Sequence, residues 1–114
     1  MEDVFTKSLL YDFYGGLLTE HQRQIFEDIV FHDMSLSEAA EGADISRQGV
    51  YDMNRRTMKL LQEYEDKLGL VKKYQECKEL SRLLLETLDD VSKGDREALD
   101  AARQLALRIP GLLE

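Results

Sequence analysis

Between residues 45 and 60 the sequence reads ISRQGVYDMNRRTMKL, and within it stand Arg47, Gln48, Tyr51, Arg55, Arg56 and Lys59. Each has a side chain that can hold a nucleic acid. A guanidinium can bond a guanine edge in two places, and a glutamine amide can do the same to adenine. Arg, Lys and Tyr also hold phosphate oxygens without reading sequence. On a helix that begins after Ser46, Arg47, Gln48, Tyr51, Asp52 and Arg55 fall largely opposite Val50 and Met53, and Arg56 and Lys59 continue along its flanks. Exposed Arg and Lys are also the ordinary composition of a solvated helix face, so both readings stand at this point.

Charge sharpens the question. The 114-residue chain carries a formal net charge of −8. Residues 1–45 hold two basic side chains, Lys7 and Arg23, against ten acidic ones. Residues 46–59 hold Arg47, Arg55, Arg56 and Lys59 against Asp52 alone, a net +3. Residues 60–66 return to −3, and residues 67–114 balance at nine of each sign. The cationic stretch is an island in an acidic half, which counts against strong binding to a polyanion.

The elements that would position these side chains follow from spacing and punctuation. Phe5, Leu9 and Phe13 recur four apart and share one helix face, and the paired Gly15 and Gly16 end that helix. Thr19 with Gln22 predicts a capping box, ahead of Ile25, Phe26, Ile29 and Val30 on a second helix. Ser35 with Glu38 predicts another, opening a short helix that ends near Gly42 or Ala43. Ser46 caps a fourth helix that nothing interrupts before Gly69, with Val50, Met53, Leu61, Tyr64 and Leu68 on its apolar side. Val71, Tyr74, Cys77, Leu80, Leu84, Leu88 and Val91 form a long stripe, widened by Leu83 and Leu85. SKGDRE is a turn with Asp95 as N-cap, and Ala98, Leu99, Ala102, Leu105, Ala106 and Ile109 line a last helix stopped by Pro110 and Gly111. The expectation is an all-α protein of about six helices in a single domain, 1–114. Residues 18–68 form a core and 69–114 a C-terminal helical pair.

Within that core, a small residue at Ala40 lets the third helix approach the fourth, and Ala39, Ile45, Val50 and Met53 supply apolar contacts between them. Ser46 leaves the first turn of the fourth helix open. This is the pattern of a helix-turn-helix, whose second helix presents its N-terminal residues to a groove. The segments LTEHQRQIF, SLSEAAE, ISRQGVYDMNRR and YEDKLGL together resemble the YlxM-type family of small bacterial helix-turn-helix proteins. More distantly, residues 18–68 are similar to the promoter-reading C-terminal segment of sigma factors. The sigma likeness implies major-groove reading by the fourth helix. The family likeness implies a part in protein targeting, because the family's genes sit beside those of the signal recognition particle and its receptor. Two residues depart from the usual pattern. Asp44 holds the turn position where Gly is common, and Gly49 stands in the first turn of the exposed helix where Ala is expected, which weakens that helix by up to ~1 kcal/mol.

Other chemistry finds little support. Asp28 and His32 share a helix face, yet no second His or Cys has ligand spacing, so a surface ion pair or a cap is expected and no metal. No phosphate loop, dinucleotide fingerprint or nucleophile elbow occurs, so neither catalytic residues nor a cofactor are expected. Cys77 lies on the apolar stripe and is expected buried. No apolar run has membrane-spanning length and no basic, apolar leader opens the chain, so a cytoplasmic location without membrane contact is expected. Leu83, Leu84 and Leu85 are three in succession, more than one helix face buries within a small domain, and a homodimer is expected. The expected function is that of a non-enzymatic regulator. Its partner classes are duplex DNA, the RNA and proteins of the signal recognition particle, or protein alone.

Overall fold

Three hydroxyl side chains punctuate the N-terminal half, and each starts a helix. In a computed structural model describing residues 4–113, Thr19 Oγ1 accepts from the Gln22 amide at 3.2 Å while Gln22 Oε1 accepts from the Thr19 amide at 2.8 Å. Ser35 and Glu38 exchange the same pair of bonds, both at 3.1 Å. Ser46 Oγ accepts from the Gly49 amide at 2.9 Å. Each bond satisfies a helix-start amide that has no partner within its own helix. The helices are α1 (Val4–Tyr14), α2 (Glu20–Phe26), α3 (Leu36–Ala43), α4 (Arg47–Leu68), α5 (Leu70–Ser92) and α6 (Glu97–Arg108). The described residues contain no strand. The fold is all-α.

Two features of the connections go beyond the spacing. After Phe26 the second helix widens into a π-helical turn, Glu27–Phe31, closed by the His32 amide on the Glu27 carbonyl at 2.9 Å. That turn helps to set Phe31 against Phe26 and Tyr11, with ring centroids 5.7 and 5.5 Å apart and edges toward faces, while Tyr11 stacks on Phe26 at 5.0 Å. After Ala43, Asp44 turns the chain with a left-handed backbone, φ 56° and ψ 43°, and the Ile45 amide bonds the Ala40 carbonyl at 3.2 Å.

The chain divides between Gly69 and Leu70 into two compact units. In the first, Ile25, Ala39, Ala40 and Val50 form a buried centre, with Ile29, Met34, Leu36, Ala43, Ile45 and Met53 packed around it. Leu10, Tyr14, Leu18, Phe26 and Leu61 are also buried. Here the spacing of α1 misleads. The face bearing Phe5, Leu9 and Phe13 is not the one that packs, and Phe5 is 63% exposed; Leu10 and Tyr14 go inside instead. Tyr14 donates its hydroxyl hydrogen to Glu65 Oε1 at 2.5 Å and sets its ring 6.0 Å from Tyr64, so α1 docks on α4. On α4 itself Leu68 is exposed, and Thr57, a residue that the apolar pattern passes over, is fully buried.

In the second unit α5 and α6 pack as a hairpin around the turn at Gly94, φ 100°. Asp95 Oδ1 accepts from the Glu97 and Ala98 amides at 3.1 and 3.3 Å, which starts α6 as expected. Val71, Leu80, Ala98 and Ala102 are buried. The leucine stripe does not close as its spacing suggests. Leu85 and Leu88 are exposed and Cys77 is only half-buried, and Leu99 on α6 is exposed as well.

Candidate nucleic-acid interface

The arrangement of α4 begins with what it buries. Val50, Thr57 and Leu61, spaced seven and four apart, are shielded from solvent, with Met53, Asn54 and Met58 half-buried beside them. The opposite side carries Arg47, Gln48, Tyr51, Asp52, Arg55, Arg56 and Lys59, all exposed. The Ser46 cap starts the helix early enough for Arg47, Gln48 and Tyr51 to occupy its first turns, and no carboxylate lies in the first turn to oppose the positive end of the helix dipole.

Shape divides these side chains into two groups. Arg55, Arg56 and Lys59 surround an open depression of about 530 Å³ together with Asp52. Arg47, Gln48 and Tyr51 surround another of about 480 Å³ with Leu36, the first residue of α3. Arg56 and Lys59 also face a third of about 410 Å³, where Gln22 of α2 joins Met53, Leu60 and Glu63. The six predicted contact residues therefore lie along one helix face but do not converge on a single concave site. Leu36 and Gln22 enter from other helices, and no signal within the 45–60 stretch points to them.

Among the described residues, Arg82 and Lys93 are held in ion pairs. On α5, Arg82 bonds Glu79 at 2.7 and 3.1 Å and Glu86 at 2.7 Å, and its guanidinium holds the Glu79 carboxyl below its ordinary pKa. Lys93 pairs with Asp89 at 2.9 Å. Arg23 donates to the Tyr11 hydroxyl, which in turn donates to Glu27. Burial is the largest cause that raises the Tyr11 pKa. On α4, as for several cations elsewhere in the chain, none of Arg47, Arg55, Arg56 and Lys59 has a carboxylate within 4.0 Å among the described residues. Asp52 and Glu63 line depressions with them, and on α3 and its flanks Asp33, Glu38, Glu41 and Asp44 are all exposed.

No three His, Cys, Asp or Glu side chains converge as a metal set among the described residues. His32 Nδ1 lies 3.3 Å from Asp28 Oδ1, which also accepts from Gln24 at 2.9 Å, a local pairing on one helix face. Among the described residues, no helix is long and apolar enough to cross a membrane.

A short helix, a left-handed turn and a capped second helix with its outer face free define a helix-turn-helix protein. Comparison with known proteins agrees. Residues 1–100 match the model of a family described as "Putative helix-turn-helix protein, YlxM / p13 like". The chain is 48% identical over 93 residues to a UPF0122 protein of Thermoanaerobacter sp. (strain X514), covering 82% of this chain and 74% of that one. It is 44% identical over 105 residues to one from Symbiobacterium thermophilum, covering 90% and 97%. A Bacillus mycoides relative is 39% identical over 108 residues, covering 92% and 98%. The chain belongs to the UPF0122, YlxM/p13-like family, which is described as one of helix-turn-helix proteins.

Proposed function

We propose that this chain is a non-enzymatic regulatory protein that docks the outer face of α4 on a nucleic acid, and that it acts in the cytoplasm within the signal recognition particle pathway its family resemblance implies. The observation that carries the docking is the state of four cations. Arg47, Arg55, Arg56 and Lys59 stand exposed on one helix without a carboxylate partner among the described residues, in a half of the chain that is otherwise acidic. Each phosphate they neutralise releases counterions and favours binding. The carboxylates of α3 lie on the element packed beside α4, within about a Debye length (~8 Å) of a docked backbone, and oppose it. Affinity for an arbitrary sequence is then low, and useful affinity comes from a specific site, a structured RNA or a partner protein of the targeting particle.

The test titrates the RNA of the signal recognition particle with the protein and with Arg55→Ala/Arg56→Ala across a salt series. The double variant should bind more weakly and lower the slope of log K against log salt by roughly 1.4 to 1.8. An unchanged slope removes these arginines from the interface. A second reading, a sequence-specific DNA regulator, is favoured by the open first turn, where Arg47, Gln48 and Tyr51 are all exposed. Tighter binding to one duplex sequence than to the RNA would select it. A pull-down that keeps its partner after nuclease treatment would instead select a protein-interaction module that has lost nucleic-acid binding. The exposed Leu85, Leu99 and Leu107 of α5 and α6 further support a homodimer through the second unit.

A further inference from the structure

One carboxylate stands inside the cationic track itself. Asp52 lines the same depression as Arg55, Arg56 and Lys59, yet pairs with none of them. It accepts instead from Gln48, whose Nε2 donates to Asp52 Oδ1 at 3.0 Å, one turn earlier on the helix. Gln48 also lines the neighbouring depression with Arg47, Tyr51 and Leu36. The pair thus bridges the phosphate-holding stretch and the first turn, where base edges are read in a helix-turn-helix.

The chemistry of this bridge is specific. An ionised carboxylate only accepts hydrogen bonds. In the major groove it suits the cytosine N4 amino group, and it is repelled by the acceptors of guanine and of thymine O4 and by any phosphate. Holding one amide hydrogen of Gln48 also directs that side chain along the helix toward residue 52, away from the outward pose that a two-point contact with adenine needs. We infer that Asp52 is a specificity-determining residue of the α4 face: it lowers affinity for arbitrary duplex, favours a cytosine-bearing base pair and restrains Gln48 from reading adenine. This rests on the proposed docking of α4.

The same helix supplies the control. Gln62 Nε2 donates to Asp66 Oδ1 at 2.9 Å with identical spacing, but Asp66 lies on the far turns of α4 and lines none of the three depressions described above. If these pairs only stiffen the helix, the two aspartates are equivalent.

The test measures binding of wild type, Asp52→Ala and Asp66→Ala to random, G·C-rich and A·T-rich duplexes at low salt, with circular dichroism to establish that each variant is folded. Asp52→Ala should bind random duplex about three- to tenfold more tightly, because one opposing charge is gone. It should also shift the G·C to A·T preference by about fivefold toward A·T, and adding Gln48→Ala should remove the part of that shift that comes from Gln48 reading adenine. Asp66→Ala should change neither quantity appreciably. Equal effects of the two aspartates, or an unchanged preference in Asp52→Ala, would overturn the inference while leaving the docking of α4 intact. Binding that Arg55→Ala/Arg56→Ala fails to weaken would overturn the docking itself, and the inference with it.

Discussion

Asp44 and Gly49 bracket the start of the exposed helix, and each breaks the residue pattern expected there. Asp44 takes a left-handed backbone at φ 56°, a conformation that costs an L-residue about 1–2 kcal/mol and that Asp tolerates better than most. Asp44→Gly should therefore stabilise the protein by about 0.5–1 kcal/mol, read as a higher midpoint in urea. A lower midpoint would mean that the Asp44 side chain contributes more than its backbone costs. Gly49 has a different reason. A Cβ there would lie 3.1 Å from Ser46 Oγ and 3.6 Å from Ile45 Cδ1, and Ser46 Oγ is the atom that caps the Gly49 amide. A side chain there would crowd that oxygen, although Gln22 and Glu38 keep the equivalent cap while carrying a Cβ.

Tyr14 shows how an element is held in place by something periodicity does not reveal. Its hydroxyl bonds Glu65 across 51 residues of sequence and fixes α1 against α4. Tyr14→Phe keeps the ring and removes this bond, so denaturation should show a loss of about 1–2 kcal/mol. No loss would mean that ring packing alone docks α1. The capped helix starts, the left-handed turn and the outward face of α4 were legible in the sequence, because capping and helical spacing are local properties of a few adjacent residues. The packed face of α1 was not. Phe5, Leu9 and Phe13 have the same spacing as a buried stripe, and only the long-range partner of Tyr14 decides between the two faces. Thr57 was illegible for a related reason: a small β-branched polar residue fits a tight helix crossing, but its type does not announce burial. The α4 cations were legible as a group. Their division into depressions was not, since Leu36 and Gln22 arrive from α3 and α2.

At the scale of the whole molecule, two properties of the surface govern behaviour in solution. One is exposed apolar area on the second unit, where Leu85 is 69% and Leu107 65% exposed. Sedimentation at micromolar concentration should report a dimer, and Leu85→Glu, at a position already in solvent, should yield a folded monomer. A monomeric wild-type chain would defeat the dimer. The other property is the acidic frame around α4, and it bears on the central claim that these four cations meet a nucleic acid against an opposing field. The direct measurement is a fluorescence titration of random duplex DNA with the wild-type protein and with Arg55→Ala/Arg56→Ala, at low and at physiological salt. Binding is predicted to be measurable at low salt, lost in the double variant, and at physiological salt weaker than the ~10⁻⁴ to 10⁻⁶ M of ordinary non-specific DNA binding. Low-salt binding that survives loss of both arginines, or micromolar affinity at physiological salt, would contradict the account.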